Sequence, residues 1–312
     1  MPTAEERQEL RRQLASLTTE AVDPSRPDLD LLPTRDLVAL MNAEDARVAP
    51  AVGLQLDEIA AAVDVIVGRF RAGGRLIYLG AGTAGRIGIL DASECPPTFG
   101  TPPEMVVGLI AGGTPAIQQA VEFSEDDELS AVEELRELGL DAHDVVVGIS
   151  ASGRTPYVAA GLVHARSQGA ATVSLVANEG AVLSALSDIA IEVVVGPEFI
   201  SGSTRLKAGT AQKMVLNMLT TLSMIKLGKT FEGVMVDLVA TNEKLHARSE
   251  NTVMRLTGVD AETAAQAIGA AGGSVKVALA MLLSGASAAD AAAALQQSDG
   301  ILRLAVERLA EG

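Results

Sequence analysis

Five short apolar runs, each followed by a loop and a helical pattern, limit the fold more than any other feature of this sequence. The runs are Arg75–Gly80, Met105–Ile110, Val145–Ile149, Ala171–Val176 and Ile189–Val195. Each is continuously apolar, as expected for strands of a parallel sheet that is covered on both faces. Helical patterns lie between them, at about 84–94, 115–138, 155–168 and 180–187. The alternation predicts an α/β fold, a doubly wound sandwich with a five-stranded, mainly parallel sheet.

The flanking segments differ in character. Residues 1–16 read as a polar helix, and residues 17–35 contain three prolines and look like an extended arm that is not packed. Helical patterns over 34–48 and 52–70 precede the first strand, and a long helix over Lys207–Leu227 and another over Val234–Ser249 follow the last. Alanine-rich helices then occupy about 257–268, 274–284, 287–296 and 299–310. We therefore predict three parts: 1–50, a central domain over 51–250, and a small all-helical module over 251–312.

Composition narrows the classes of partner. Lys and Arg number 24 against 40 Asp and Glu, giving a formal net charge of -16, and aromatic residues make up 2%. Such a balance repels nucleic acid backbones and anionic membranes, so we expect neither as a partner. One cysteine and three widely spaced histidines predict no disulfide and no metal site. The charged start of the chain lacks the apolar run of a signal peptide, so we expect a cytoplasmic protein.

The loop after the first predicted strand is rich in glycine. It reads Gly80-Ala-Gly-Thr-Ala-Gly-Arg86 and includes Gly82 and Thr83. The spacing superficially fits a dinucleotide fingerprint, but that motif also requires an acid at the end of the next strand, where this chain has Ala-Gly-Gly. Backbone N–H groups at a helix N-terminus favour an anion in general. We therefore expect an anion here, and a nucleotide is the weaker alternative.

A second loop, between the third strand and its helix, is rich in hydroxyl groups. It contains Ser150, Ser152, Gly153, Arg154 and Thr155. Hydroxyl and N–H groups that converge ahead of a helix suit the oxygens of a phosphate ester. The same residues also suit a helix cap without a ligand, and this segment alone does not separate the two interpretations.

A third segment, 196–213, combines hydroxyl groups with cations ahead of the long helix. Ser203 supplies a hydroxyl, Arg205 can bind a phosphate through two N–H groups, and Lys207 is a flexible point charge. Residues 75–90, 145–161 and 201–213 together contain six Arg or Lys and no Asp or Glu. We expect an anionic ligand to bind among these basic loops, away from the acidic remainder of the chain.

Taken together, these motifs resemble a known family. The first two loops are similar to the sugar isomerase (SIS) domain, which binds phosphosugars. The third segment resembles a motif shared by the N-acetylmuramic acid 6-phosphate etherases and the glucokinase regulatory protein. Ile89–Pro97 and Ala240–His246 resemble the etherases specifically, and the last helices loosely resemble their ubiquitin-associated-like tail. The resemblance covers about residues 17–250.

Two departures from the etherase pattern stand out. Ala84 occupies a position where etherases usually have serine, which removes a hydroxyl group from the first loop. Thr19–Asp23 departs from the usual N-terminal motif, and we attach little functional weight to that change.

The resemblance implies a chemistry. The family's substrate is a sugar 6-phosphate with a D-lactyl ether at C3, and the products are N-acetylglucosamine 6-phosphate and D-lactate, as in cell-wall amino sugar recycling. In the ring-opened sugar, the C1 aldehyde acidifies the C2 proton. A base removes that proton, lactate leaves from C3 with help from an acid, and water adds to the unsaturated aldehyde. This scheme needs no cofactor or metal, and the resemblance implies a homodimeric carbon–oxygen lyase.

Glu94 and Glu125 match the family's catalytic glutamates. We expect Glu94 at the C-terminus of the helix that the first loop begins, just before Pro96 and Pro97 stop it, where the helix dipole favours the protonated acid. Glu125 lies in an acidic run in which neighbouring like charges also favour protonation; taken alone, such a run is usually a solvated face. His246 is a candidate for opening the sugar ring, although a hydrogen-bonded helix histidine is the simpler interpretation.

Two other functions share these loops. A non-catalytic sugar-phosphate regulator of the glucokinase regulatory type would have a second SIS domain, whereas this chain offers only five sheet strands. An SIS sugar-phosphate isomerase would share the phosphate loops and the abstraction of the C2 proton. The segment Asp91–Glu94 and residues 196–213 argue against the isomerase.

Overall fold

The computed structural model describes residues 17–237 and 243–311, together with Gln8. Contacts divide the chain into two compact units. The first contains the chain up to Ser93 together with Glu104–Leu219, and the second contains Glu94–Pro103 together with the chain from Thr220. These limits differ from the predicted boundaries at residues 50 and 250, and the three-part division itself stays a prediction.

A five-stranded parallel sheet forms the centre of the first unit. Its strands are β1 (Leu76–Gly80), β2 (Val106–Ile110), β3 (Val145–Ser150), β4 (Ala171–Val176) and β5 (Ile189–Glu192). They lie in the order β2-β1-β3-β4-β5, and every neighbouring pair is parallel. Every residue of β1 and β3 is buried, which explains why these runs are continuously apolar. The five strands and the α/β class predicted from the sequence are confirmed.

Nine α-helices begin in the described part of the first unit. They are α1 (Thr34–Asp45), α2 (Val48–Val52), α3 (Leu56–Arg71), α4 (Gly82–Phe99), α5 (Pro115–Gln118), α6 (Glu128–Glu137), α7 (Pro156–Ser167), α8 (Val182–Leu186) and α9 (Lys207–Lys226). The side chains of Leu79, Leu135 and Leu162 are fully buried together in one core cluster between sheet and helices. The chain passes from β1 to one side of the sheet and then to the other, so a topological switch point lies between β1 and β3. Ligands bind beside such points at the carboxyl ends of strands.

Two predicted helices are wrong in extent. The pattern over 115–138 is interrupted, because α5 ends at Gln118 and Asp127 caps a new helix by accepting hydrogen bonds from two N–H groups of its first turn. The stop predicted at Pro96 and Pro97 does not occur, since α4 continues to Phe99. The fixed φ of proline is itself helical, and the N–H of Gly100 closes the last turn by donating to Pro96 O at 2.9 Å.

The prediction that residues 17–35 are not packed is wrong. Thr19 is fully buried, and the segment contains two short 3₁₀ turns, Thr18–Glu20 and Leu29–Leu31. Arg26 donates from Nη1 to the carbonyl oxygens of Glu198 and Phe199. The segment is therefore packed onto the rest of the first unit at Thr19 and at Arg26. The helix predicted over 1–16 lies outside the described residues, apart from Gln8.

The second unit is mainly helical. Its hairpin pairs β6 (Thr230–Phe231) with β7 (Val234–Met235), and its helices are α10 (Glu243–Thr257), α11 (Ala261–Ala270), α12 (Val275–Ser284), α13 (Ala288–Gln297) and α14 (Leu302–Glu311). The last four confirm the predicted C-terminal helices. The helix predicted from Val234 is wrong at its start, since Glu232 and Gly233 take positive φ values and turn the chain into the hairpin. No single helix within the described ranges is long and apolar enough to cross a membrane, although α11 and α12, bent by 112°, meet the length and composition test as a pair.

Candidate active site

A cavity of about 270 Å³ in the first unit lies where β1 and β3 end. Its walls come from five segments that are distant in sequence: the N-terminal segment, the loops after β1 and β3, the acidic loop before α6 and the start of α9. The lining residues are Glu20, Ala81, Thr83, Ala84, Glu125, Ser150, Ala151, Ser152, Thr155, Gly202, Thr204 and Gln212. The structure thus brings together Thr83, Glu125, Ser150, Ser152 and Thr155 of the predicted site residues.

The loop after β3 contributes a cluster of hydroxyl groups. Ser150 Oγ lies 2.8 Å from Thr155 Oγ1 and 3.3 Å from Ser152 Oγ, and it accepts a hydrogen bond from the N–H of Gly153. Thr155 is the N-cap residue of α7, yet no side chain accepts a hydrogen bond there from the first turn. The first-turn N–H groups of α7 and the three hydroxyl groups are donors of the kind that bind phosphate.

The glycine-rich loop after β1 owes its glycines to close packing of strand and helix. A Cβ at position 85 would lie 2.6 Å from Ile110 Cγ1 and 2.8 Å from Gly80 O, so only glycine fits there. Gly82 begins α4 with a positive φ and lines a neighbouring cavity of about 240 Å³. Thr83 and Ala84 face the main cavity. The serine that etherases usually have at position 84 would add a hydroxyl group to this wall.

Glu125 lies in a 3₁₀ turn, Ser124–Asp126, rather than in the predicted helix. Phe123, which precedes the turn, has a φ of 61°, a left-handed conformation that is rare for an aromatic residue. Ser124 Oγ donates to Val121 O at 2.9 Å. Gly112 leaves room for the side chains of Val121 and Ser124, whose Cβ atoms would lie 3.0 and 3.2 Å from a Cβ at position 112. The acidic run is therefore not only a solvated face, because its strained loop directs Glu125 into the cavity wall.

Glu20 also lines the cavity, and sequence reasoning missed it. Its 3₁₀ turn is held by Thr18, whose N–H and Oγ1 donate to Asn178 Oδ1 at 2.8 and 2.7 Å. Ser201 Oγ donates to Glu20 O at 2.7 Å, and the N–H of Gly202 donates to Thr19 O at 3.0 Å. The sequence analysis considered Thr19–Asp23 only as a departure from the usual etherase motif and gave that change little functional weight.

Gln212 is the second functional candidate that the sequence analysis missed. It lies on α9, it is 2% exposed, and its side chain lines the cavity. Its Nε2 has no hydrogen-bond partner in the part of the chain that the structure describes. A buried amide without a partner costs about 1–3 kcal/mol, which a hydrogen bond to a ligand would offset. A single glutamine in a helix carries no sequence signal of this kind.

The pairing of Lys207, which does not line the cavity, argues against its predicted role in phosphate binding. Its side chain is 1% exposed, and Nζ donates to Glu44 Oε2 at 2.6 Å. That hydrogen bond and the charge of Lys207 hold the pKa of Glu44 below its usual value. Glu198 accepts hydrogen bonds from the N–H groups of Lys207 and Ala208 and so caps the start of α9. Lys207 thus stabilises the fold around the third segment.

The other predicted phosphate ligands are dispersed. Arg205 is exposed, and neither it nor Ser203 lines the cavity. Arg154 faces a separate cavity of about 460 Å³ beside Thr18 and Asn178. Gly153 has a φ of 72°, and a Cβ there would lie 2.3 Å from the Cβ of Ala181, so its glycine is required by the loop itself.

Three of the six cations in the basic loops, Lys207 among them, bind groups within the fold. Arg75 forms an ion pair with Asp144 at 2.7 Å, and Arg86 donates to the carbonyl oxygens of Ile117 and Gln119. Within the described ranges, the cavity is lined by two carboxylates, Glu20 and Glu125, and by no Lys or Arg. A phosphate here would be held by neutral donors.

Glu94 and His246 belong to the second unit. Glu94 is exposed on α4, one turn before the helix ends at Phe99, so the expected position at the helix C-terminus is wrong. His246 is exposed on α10, and the resembling segment Ala240–His246 falls partly outside the described residues. The roles predicted for both side chains stay predictions. Among the described residues, no three His, Cys, Asp or Glu side chains cluster as a metal site requires.

Comparison with known proteins matches the chain to SIS domain models and, over nearly its whole length, to etherases. The family model described as the glucokinase regulatory protein N-terminal SIS domain matches residues 58–166, and the SIS domain model matches residues 130–222. An N-acetylmuramic acid 6-phosphate etherase from Streptomyces avermitilis is 52% identical over 95% of this chain and 96% of its own. Etherases of the same name from Mycolicibacterium smegmatis (53% identical, 94% and 98% covered) and Pasteurella multocida (54%, 93% and 97%) match similarly. The first unit is accordingly an SIS-type sandwich.

Proposed function

The chain belongs to the N-acetylmuramic acid 6-phosphate etherase family, and on that basis we propose that it cleaves the D-lactyl ether of N-acetylmuramic acid 6-phosphate. The products are N-acetylglucosamine 6-phosphate and D-lactate. Water adds to the sugar after lactate has left, so the reaction is an elimination followed by a hydration. The enzyme is thus a carbon–oxygen lyase that acts on a small sugar phosphate.

The phosphate binds at the loop after β3. Ser150, Ser152 and Thr155 place three hydroxyl groups beside the uncapped N-terminus of α7, and the helix dipole adds to their attraction for an anion. The two carboxylates of the cavity would repel a phosphate at their own positions. This arrangement orients the sugar, with C6 at the hydroxyl loop and the reacting carbons towards the carboxylates.

Glu125 and Glu94 carry out the proton transfers at the reacting carbons. Glu125 removes the proton from C2 of the open-chain aldehyde, and the electron pair forms the C2–C3 double bond as the C3–O bond breaks. Glu94 protonates the departing lactate oxygen. Glu94, now ionised, takes a proton from the water whose oxygen adds at C3, and Glu125 returns its proton to C2, so both glutamates regain their starting states. Positioned acids and bases of this kind contribute about 10²–10⁴-fold each.

One observation supports this function most strongly: Glu125 shares a cavity with the phosphate-binding hydroxyl groups, although the two are separated by a strand and a helix in sequence. The test is release of D-lactate from N-acetylmuramic acid 6-phosphate by the purified protein. Glu125→Gln should lower the rate by at least about 100-fold. Glu128→Gln is a matched control, since Glu128 is an exposed acid of the same run that does not line the cavity. An equal loss in both variants would contradict the assignment.

Membership of the family also supports proposals on the compartment, on the oligomeric state and on the role of Glu94. The enzyme acts in the cytoplasm as a homodimer. Equilibrium sedimentation tests the dimer, and a monomer with full activity would contradict it. Glu94→Gln should abolish release of lactate while leaving binding of the product within about twofold.

A further inference from the structure

The sugar ring must open before the C2 proton becomes acidic, and this step needs its own proton transfer. In the ring form C1 carries a hydroxyl group and no carbonyl. Opening removes the proton from the C1 hydroxyl, breaks the C1–O5 bond and places a proton on O5. The two glutamates already assigned act at C2 and at the ether oxygen. His246, the candidate that the sequence offers for this step, belongs to the second unit and does not line the cavity.

Two of the described residues that line the cavity are titratable, Glu125 and Glu20. Glu125 already acts at C2, which leaves Glu20. Its carboxylate lies close to the third segment, since a Cβ at position 202 would come within 2.9 Å of Glu20 Oε2. Gly202, with a φ of 74°, leaves the space that this carboxylate occupies. Any side chain at 202 would therefore displace Glu20.

The segment around Glu20 is anchored in a way that suits a functional position. Asn178 accepts two hydrogen bonds from Thr18 and donates to Ala151 O at 2.9 Å, so it joins the N-terminal turn to the hydroxyl loop. Thr19 is fully buried beside Asn178 Nδ2. On the opposite side, Ser201 Oγ binds Glu20 O. Two loops of the cavity thus fix the backbone of a side chain that is itself exposed to the cavity.

We propose that Glu20 is the catalytic residue that opens the sugar ring, an inference that rests on the proposed etherase function. Its carboxylate accepts the proton of the C1 hydroxyl as the C1–O5 bond breaks, and its carboxylic acid then donates that proton to O5. The aldehyde forms with no net gain or loss of protons. A carboxylate accepts hydrogen bonds in its ionised form and donates in its protonated form, so one glutamate performs both steps.

Interconversion of the two anomers of N-acetylglucosamine 6-phosphate reports ring opening without ether cleavage. Exchange NMR on the product with catalytic amounts of protein measures it directly. We expect the wild-type chain to accelerate the interconversion and Glu20→Gln to lose at least about 100-fold of that acceleration. Binding of the product to Glu20→Gln should stay within about threefold, because the amide keeps the size of the side chain and one of its two acceptor oxygens.

Glu128→Gln serves again as the matched control, since Glu128 is an exposed acid that lines neither the main cavity nor the neighbouring one. It should accelerate the interconversion as the wild type does. Glu20→Gln that retains the wild-type acceleration, or a wild-type chain without any acceleration, would overturn the proposal. Release of D-lactate is measured separately, so a chain that opens the ring but releases no lactate would refute the etherase function alone.

Discussion

Replacing Gln212 by methionine should affect stability and binding in opposite directions. Gln212 is 2% exposed, and its Nε2 has no hydrogen-bond partner among the described residues. Methionine has a similar length and no polar group that needs a partner. The free protein should therefore gain up to about 2 kcal/mol in its free energy of unfolding, since removing an unpaired buried polar group removes its desolvation cost.

The same change should weaken binding of N-acetylglucosamine 6-phosphate. If Nε2 donates to an oxygen of the ligand, its loss leaves that oxygen buried without a partner, at a cost of about 1–3 kcal/mol. This corresponds to an increase in Kd of roughly 5- to 150-fold. A gain of 1 kcal/mol in stability would raise the melting temperature by about 2–4 °C in a unit of this size.

Calorimetric titration and thermal unfolding of the same samples measure both effects. Gln212→Glu is the informative companion, because it keeps the side-chain size but places a charge in a buried position, and we expect it to lose both stability and affinity. The reasoning is refuted if Gln212→Met loses more than about 1 kcal/mol of stability while its Kd for the product is unchanged. That result would mean that the amide supports the fold rather than the ligand.

Three further predictions concern the surroundings of the cavity. Lys207→Met should cost about 1–3 kcal/mol in urea unfolding, because Glu44 loses its shortest partner and keeps only Arg47 at 3.2 Å and Arg26 at 3.8 Å. Product affinity should change less than about twofold, and a large rise in Kd at unchanged stability would support Lys207 as a ligand. Burial alone would raise the pKa of Asp144, but the Arg75 hydrogen bond holds it below the ordinary value of 3.8, so the stabilising effect is complete above that value and is lost as the pH falls below it. The difference in unfolding free energy between the wild type and Asp144→Asn should accordingly be about 3–5 kcal/mol at pH 7 and shrink below pH 3.8; a difference independent of pH would contradict the ion pair. Ala84→Ser adds a hydroxyl to the cavity wall and should tighten product binding by about 0.5–1.5 kcal/mol in a titration, whereas weaker binding would show that the wall there has no ligand partner.

The strands could be predicted from sequence because burial on both faces leaves a continuous apolar run. The helix boundaries were harder to predict, since they depend on residues that adopt conformations or positions unusual for their type. Phe123 adopts a left-handed conformation inside a sequence with helical periodicity, and the helix α4 accommodates Pro96 and Pro97 in its last turn. The packing of the N-terminal segment depends on Asn178, 160 residues away from Thr18, which no local pattern reveals.

The candidate site was predicted where its residues are clustered along the chain and missed where they are isolated. The hydroxyl loop around Ser150 is contiguous, so its composition was informative. Gln212 and Glu20 each reach the cavity alone, from a helix and from a turn. The cations misled the sequence analysis because a charged residue in a loop does not reveal which way its side chain points. The side chains of Arg75 and Lys207 bind acidic partners within the fold.

Oxygen labelling tests the proposed reaction most directly. N-acetylmuramic acid 6-phosphate is incubated with the protein in water enriched in oxygen-18, and both products are analysed by mass spectrometry and by the carbon-13 isotope shift at C3. Elimination followed by hydration predicts label on the C3 oxygen of N-acetylglucosamine 6-phosphate and unlabelled D-lactate, with Glu125→Gln forming neither product at a comparable rate. Label in D-lactate would contradict the elimination, and no lactate from the wild-type protein would contradict the function.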